Sequence, residues 1–164
     1  MCVIVDANEA HEFFQDPPSP RYAPVVTWIT RGAGFLRYGG RLKAELLRNS
    51  ISARLLQAWS AAGRALDEGD EIVAAEEQRV AAMGLCRSND HHIIALARVS
   101  GARLLCTSDD ALAADFRNKR LVDRPRGSIY KDPSHKHLLR HSSSCGMKGV
   151  ARRTRRPGRH ADQR

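Results

Sequence analysis

The sequence predicts an α/β fold in which helices cover both faces of a parallel central sheet. Three observations predict it: short apolar runs typical of buried strands, stretches with apolar residues at helical spacing, and a regular alternation of the two. The strand-like runs lie at residues 2–5, 35–38, 65–66, 103–107 and 127–130. We therefore expect a three-layer α/β/α domain with about five parallel strands.

The first half of the chain contains two well-marked elements. Cys2 to Val5 is a β-branched run that predicts a strand buried on both faces, and apolar residues recur at helical spacing between Leu42 and about Ala62. Asn8 is a suitable N-cap for a short helix. The predicted order is helix 9–16, a proline-rich loop 17–24, a short helix 25–29, an added strand or hairpin arm 35–38 and one long helix 42–62.

The second half repeats the alternation. A short strand near Ala65 precedes a helix over about 71–83, and Ser88 is expected to begin another helix that Gly101 ends. The run 103–107 predicts a second core strand. A helix over about 110–117 and an edge strand at 127–130 complete the predicted domain.

Charge divides the chain into two parts. Of a formal net charge of +9 over 164 residues, residues 1–130 contribute +1 (17 Lys/Arg, 16 Asp/Glu) and residues 131–164 contribute +8 (10 and 2). The first part predicts a folded domain over 1–130. The second, rich in Arg and Ser, is typical of a disordered tail, which either solubilises the protein or binds nucleic-acid phosphates with a steep dependence on salt.

The location of the protein is predicted from cysteines and hydropathy. The four cysteines have no paired spacing, so we expect no disulfide framework, which fits a reducing cytoplasm. No apolar run approaches the ~20 residues of a membrane span, and the N-terminus lacks the pattern of a secretion signal. We therefore expect a cytoplasmic protein without a membrane segment.

Four acidic residues are the strongest functional signal. Asp6 and Asp109 each follow a core strand, so both are expected at the carboxyl edge of the sheet, where open α/β sheets bind ligands. Glu45 and Asp90 each lie in the first turn of a predicted helix. Carboxylates gathered from distant positions repel one another unless a cation balances them, and oxygen ligands favour Mg²⁺ or Mn²⁺. Such a site suits phosphodiester hydrolysis.

The motifs around these acids resemble, in their order and spacing, those of PIN domains. They are Val-Ile-Val-Asp-Ala-Asn, Gly-Gly-Arg-Leu-Lys-Ala-Glu-Leu, Ser-Asn-Asp-His-His-Ile-Ile-Ala-Leu-Ala and Leu-Leu-Cys-Thr-Ser-Asp. The resemblance covers about residues 2–130. PIN domains are compact α/β/α nucleases, and many are the ribonuclease toxins of bacterial toxin–antitoxin pairs. The resemblance thus implies a metal-dependent endoribonuclease that acts on RNA, with an antitoxin and a second copy of the chain as possible partners.

The resemblance also implies roles for individual residues. The acidic cluster that binds Mg²⁺ or Mn²⁺ is expected to consist of Asp6, Glu45, Asp90 and Asp109. We expect Asp6 and Asp109 to be the nearest ligands, with the other two acting through bound waters. Thr107 and Asn8 match polar positions that the family has beside the last and first acids. The basic residues that flank Glu45 are expected to guide the RNA backbone or to form a solvated face: Arg37, Arg41, Lys43 and Arg48.

Each of these residues also has a purely structural interpretation. Asp90 would complement a helix dipole, Glu45 would be a solvated helix residue, Asp6 a turn former, and Asp109 or Asp110 the cap of the next helix. Asp115 is expected to face solvent. His91 and His92 are expected at the surface or in contact with phosphate, with a catalytic role as the alternative because they follow Asp90 closely. The spacing of His135, His137, His141 and Cys145 fits no structural zinc site.

Two further functions compete with the ribonuclease. A non-catalytic RNA-binding module would keep the fold and use the basic tail, so truncation after Tyr130 would weaken its binding. A haloacid-dehalogenase-like phosphatase needs a second Asp two positions after the first, and Asn8 stands there, which disfavours that chemistry. The segment 17–40 is longer than a minimal PIN domain needs and is expected to offer a partner surface.

Overall fold

A computed structural model describes residues 1–140 of the chain. Its strands and helices follow the predicted alternation, with short 3-10 helices at Ala7–Glu9 and Pro133–Leu138. In chain order the elements are β1 (Cys2–Val5), α1 (Ala10–Phe14), α2 (Ala23–Thr30), β2 (Phe35–Tyr38), α3 (Gly40–Leu47), α4 (Ser50–Ala61), β3 (Ala65–Asp67), α5 (Asp70–Ala82), α6 (His91–Ser100), β4 (Leu104–Cys106), α7 (Asp110–Arg117) and β5 (Ser128–Tyr130).

The sheet confirms the predicted fold class. Its strand order is β3-β2-β1-β4-β5 with every neighbouring pair parallel, and helices flank it in a three-layer α/β/α arrangement. The chain adds β2 and β3 on one side of β1 and then crosses over to place β4 on the other side. The carboxyl ends of β1 and β4 are therefore the switch point of the sheet, where ligands of such folds bind.

The strand 35–38 is an inner strand, so its interpretation as a hairpin arm is wrong. It lies between β1 and β3, and Leu36 is fully buried. The charged residue of this strand, Arg37, is buried in an ion pair with Glu68. It therefore does not face a nucleic-acid surface, and the expectation that it guides the RNA backbone is wrong. Gly40 then lets α3 begin against α5, because a Cβ there would lie 2.7 Å from Cγ1 of Val73 and the residue has a φ of +54°.

The predicted long helix 42–62 is in fact two helices. Asn49 interrupts it, and its side-chain oxygen accepts hydrogen bonds from the backbone N–H groups of Ile51 (2.9 Å) and Ser52 (3.2 Å). An Asn side chain competes for backbone donors in this way and favours the N-cap over the helix interior. The apolar spacing runs across the break because both helices bury one face, which includes Leu46 and Leu56.

The folded part of the chain extends past the predicted boundary at residue 130. Leu138 and Leu139 pack against the core, and the Tyr130 hydroxyl donates a hydrogen bond to the carbonyl of Arg21 (3.1 Å). These contacts order residues 131–140, which charge alone had assigned to the tail. The remaining predicted tail, with His141 and Cys145, lies outside the described residues.

The cysteines differ in their state. Cys86 and Cys106 are free thiols, whereas the fully buried Cys2 is disulfide-bonded, which the cysteine spacing does not predict. No helix within residues 1–140 is both long enough and apolar enough to cross a membrane.

Candidate active site

Asp6 lies at the switch point of the sheet. Val5 pairs with Cys106 in the register of β1 and β4, and the Asp6 backbone N–H extends this pairing by donating to the Cys106 carbonyl (3.0 Å). The side chain is buried, 5% exposed. The Thr107 hydroxyl donates to its Oδ2 (2.8 Å) and the Asn8 backbone N–H to its Oδ1 (3.3 Å), which fixes the orientation of the carboxylate.

The pKa of Asp6 reflects its burial and the acids that surround it. Burial raises the pKa of the Asp6 carboxyl above its ordinary value, and the neighbouring charges of Asp90 and Glu9 raise it further. The hydrogen bonds from Thr107 and Asn8 oppose this effect without cancelling it. The negative charge of Asp90 therefore lies close enough to disfavour the ionised form of Asp6.

Asp90 precedes the first residue of α6, and its carboxylate is not used to cap the helix. Within residues 1–140 this carboxylate has no hydrogen-bond or ion-pair partner. Its backbone N–H donates to the Ser88 hydroxyl (3.3 Å), so Ser88 supports the position of Asp90 and does not begin the helix as predicted. Asp90 therefore lies where a carboxylate can complement the dipole of α6, but it makes no capping hydrogen bond.

Asp115 is buried, which contradicts its expected exposure to solvent. It is 2% exposed, and its carboxylate accepts hydrogen bonds from the backbone N–H groups of Arg87 (2.9 and 3.0 Å) and Ser88 (2.8 Å). Asp115 therefore ties α7 to the loop that carries Asp90. Only the fold reveals this role, because the partners are 27 and 28 residues away in sequence.

Glu45 is connected to the start of α6. One carboxylate oxygen lies 3.4 Å from Nε2 of His92, and the other lies 3.0 Å from Nε of Arg41. His92 is buried at 2% exposure, so its expected surface position is wrong, and its Nδ1 has no hydrogen-bond partner within residues 1–140. Since His92 follows Asp90 by two residues, this contact places Glu45 beside the first turn of α6.

Asp109 is exposed and caps α7. Its Oδ1 accepts the backbone N–H of Leu112 (2.9 Å), which matches the structural interpretation of this acid. Its own backbone N–H donates to the Thr107 hydroxyl (3.1 Å). Thr107 is thus hydrogen-bonded to both Asp6 and Asp109 and links the two acids that follow β1 and β4.

The four predicted acids are gathered in part. Asp6 and Asp90 are neighbours, Glu45 joins them through His92, and Asp109 is linked to Asp6 through Thr107. Across residues 1–140, however, no three His, Cys, Asp or Glu side chains are already arranged to hold a metal ion. The available donors are oxygens, which suits a hard cation. Asp6, Asp90 and the second carboxylate oxygen of Asp109 fit such an ion, whereas both oxygens of Glu45 have partners that they would have to leave.

Besides Arg37, described above, the basic residues predicted to contact RNA are Arg41, Lys43 and Arg48, and they differ in their surroundings. Arg41 is exposed and paired with Glu45. Lys43 is paired with two acids outside the predicted cluster, and its Nζ lies 2.6 Å from Asp67 and 3.6 Å from Asp70. Arg48 is exposed at the end of α3. Lys43 is therefore largely neutralised by its partners, and Arg41 and Arg48 remain the better candidates for a phosphate contact.

One residue near the site was missed by the sequence analysis. Glu9 is 4% exposed, and its carboxylate accepts hydrogen bonds from Tyr22, Arg21 and Ser108. The only sequence signal was an acid three residues after Asp6. Its partners are distant in the chain, so the local pattern does not predict its burial.

Replacing Asp6 by Asn is expected to remove the contribution of the Asp6 carboxyl to the pH dependence of stability in the metal-free protein. Because the folded-state pKa of Asp6 is raised, the stabilisation from its protonated form is fully present below the unfolded pKa and is lost as pH rises through the folded pKa. The melting temperature of Asp6→Asn relative to wild type should therefore increase between about pH 3.5 and pH 7. Thermal unfolding in EDTA measures this difference, with Glu12→Gln as an exposed control, and a constant or shrinking difference would contradict the raised pKa.

Comparison with known proteins adds little beyond this geometry. No protein-family model matches the chain, and no curated protein matches it. A crystal structure of FitAcB from Neisseria gonorrhoeae is similar to it with a TM-score of 0.40 and 22% sequence identity, over 81% of this chain and 99% of that chain. A likeness of this strength carries no argument about function.

Proposed function

We propose that this protein is a metal-dependent ribonuclease that hydrolyses RNA phosphodiester bonds with Mg²⁺ or Mn²⁺. The observation that carries the proposal is the placement of Asp6: a buried carboxylate at the switch point of a parallel sheet, oriented by Thr107 and next to Asp90. Two acids held together at this position would attract a divalent cation. The order of the four acidic motifs, which resembles that of PIN domains, supports the same function.

Asp6 and Asp90 are the residues that would hold the cation. Asp6 is already oriented by two hydrogen bonds, and the Asp90 carboxylate is free of partners within the described residues. The oxygen of Asp109 that does not cap α7 is a third candidate. Glu45 would join from the side of α3 once it leaves Arg41 or His92.

The bound cation would lower the pKa of a water molecule and neutralise charge on the phosphate oxygens. The chain's own residues would do the rest. Thr107 keeps the Asp6 carboxylate in one orientation, and a carboxylate oxygen of Glu45 or Asp90 would accept the proton of the attacking water. The exposed guanidinium groups of Arg41 and Arg48 would hold the RNA backbone in place.

The first test is cleavage of labelled single-stranded and structured RNA by the wild-type chain and by Asp6→Asn, with Mg²⁺, Mn²⁺ or EDTA. Metal-dependent cleavage by wild type alone is the expected result. A role as the toxin of a toxin–antitoxin pair makes a further prediction: production of wild type in a bacterium should arrest growth, whereas Asp6→Asn should not. Activity that survives in EDTA would overturn the proposal.

A non-catalytic RNA-binding module is the second candidate, and the charge of +8 on residues 131–164 favours it. We expect truncation after Arg140, the last described residue, to reduce the affinity for RNA by roughly 10-fold or more at low salt. Electrophoretic mobility shifts at several salt concentrations would measure this change. Equal affinity of the full and truncated chains, with the same salt dependence, would exclude this role for the tail.

A further inference from the structure

We propose that Glu9 is a positioning residue that holds the loop 107–109 against Asp6 and couples it to the segment before α2. The proposal rests on the proposed function, since it assigns a role in the same site. Glu9 lies in the 3-10 helix that follows Asp6, and its buried carboxylate faces the loop after β4. It belongs to neither the predicted acidic cluster nor the set of exposed acids.

The hydrogen bonds of Glu9 account for both of its carboxylate oxygens. Oε1 accepts the Ser108 backbone N–H (2.8 Å) and the Ser108 hydroxyl. Oε2 accepts the Tyr22 hydroxyl (2.6 Å) and lies 3.1 Å from a guanidinium nitrogen of Arg21. Four donors from two distant segments therefore converge on one side chain.

Because four donors occupy both of its carboxylate oxygens, Glu9 has a different role from Asp90. A buried carboxylate is costly unless it is paired and hydrogen-bonded, and here the donors outweigh burial, so that the pKa of Glu9 is held below its ordinary value. Glu9 thus stays ionised, but neither oxygen is left free to bind a metal ion or to accept a proton from water. Asp90 has the opposite character, with a carboxylate free of partners in the described chain.

The position of Ser108 explains how Glu9 acts on the site. Ser108 stands between Thr107, whose hydroxyl donates to Asp6, and Asp109, whose N–H donates back to the Thr107 hydroxyl. Asp6 therefore holds one end of this three-residue loop and Glu9 holds its middle. Without the hydrogen bonds between Ser108 and Glu9, the loop is held less firmly. The position of the Thr107 hydroxyl then becomes less defined, and so does the orientation of the Asp6 carboxylate that it contacts.

Arg21 extends the network to the last strand. Its Nε donates to the carbonyl of Lys131 (2.5 Å), its own carbonyl accepts the Tyr130 hydroxyl, and its guanidinium stands over the ring of Tyr22. Arg21 and Tyr22 belong to the segment 17–40, which the sequence suggested as a partner surface, but here this segment packs against β5. This packing places Arg21 and Tyr22 within hydrogen-bond distance of Glu9, so these two residues support the site.

The test compares Glu9→Gln with Glu12→Gln, which removes the same charge from an exposed residue nearby. For Glu9→Gln we expect kcat to fall by about 10- to 100-fold and the Mn²⁺ concentration for half-maximal activity to rise, as for other residues that orient metal ligands. The KM for RNA should stay within about twofold, because Glu9 lies too deep to touch the substrate. Glu12→Gln should match wild type in all three quantities.

Two results would overturn the proposal. Unchanged kcat and Mn²⁺ dependence in Glu9→Gln would show that the loop keeps its place without Glu9. A loss as complete as that of Asp6→Asn would instead make Glu9 a ligand or a proton acceptor. Should Glu9→Gln fail to fold, Ser108→Ala and Tyr22→Phe each remove a single donor, and each is expected to lower kcat by roughly 3- to 10-fold; wild-type kcat in both would count against the role.

A readout independent of activity keeps the proposal apart from the proposed function. In the metal-free protein, amide hydrogen exchange of Ser108 should be at least about 10-fold faster in Glu9→Gln than in wild type, and that of Asp109 should follow it. Amides in α6 should exchange as in wild type. If wild type cleaves no RNA, the proposed function fails, while these exchange rates still decide whether Glu9 holds the loop.

Discussion

Asp6→Asn is expected to lower the kcat of metal-dependent RNA cleavage by at least about 10³-fold. The substitution keeps the size of the side chain and its acceptor for the Thr107 hydroxyl. It removes the negative charge, and with it half of the Asp6–Asp90 pair that would attract a cation. Initial rates on a labelled RNA at several Mn²⁺ concentrations measure the loss.

The same variant should lose its stabilisation by Mn²⁺. At 100 times its dissociation constant, a ligand that binds only the folded state stabilises it by about 2.7 kcal/mol. We expect wild type to show such an increase in melting temperature with Mn²⁺ and Asp6→Asn to show little. Asp110→Asn is the matched control, because Asp110 is an exposed acid beside Asp109 whose partner is Lys131. Equal stabilisation of all three proteins would place the cation away from Asp6.

The strands were the most predictable part of the fold. A buried parallel strand needs a continuous apolar run, and β1 and β4 have such runs, each ending directly before the polar residues of the site. The helices were less predictable where a single side chain decides the outcome. Asn49 divides the helix 42–62 through its own side chain, and the apolar spacing on either side does not reveal the break.

The candidate site was predictable only at the level of which elements meet. The strand order of a parallel sheet brings residues after β1 and β4 together, so the sequence predicts Asp6 and Asp109 at one edge of the sheet. Which acid is buried, capped or paired depends on contacts between segments far apart in sequence. For this reason the roles of Glu9, His92 and Asp115 were missed, and the capping role of Asp109 remained one of several interpretations.

The prediction with the second-largest effect concerns Asp115, which supports the loop before Asp90. Asp115→Asn replaces one acceptor oxygen by a donor NH₂ group that faces a backbone N–H, and it removes the charge that strengthens the other bonds. Because the site is buried, we expect a loss of about 2–3 kcal/mol in the free energy of unfolding. Urea denaturation measures it, with Asp110→Asn on the same helix as a control.

Asp115→Asn should also lower kcat by more than the loss of folded protein alone would cause. The Ser88 N–H is held by Asp115 and the Ser88 hydroxyl accepts the Asp90 N–H, so a loosened Ser88 displaces Asp90, a candidate metal ligand. At a temperature where the variant is fully folded, kcat should fall by about 10- to 100-fold while KM changes little. Wild-type kcat in the folded variant would mean that Asp90 keeps its position without this support, and Asp115 would then act on stability alone.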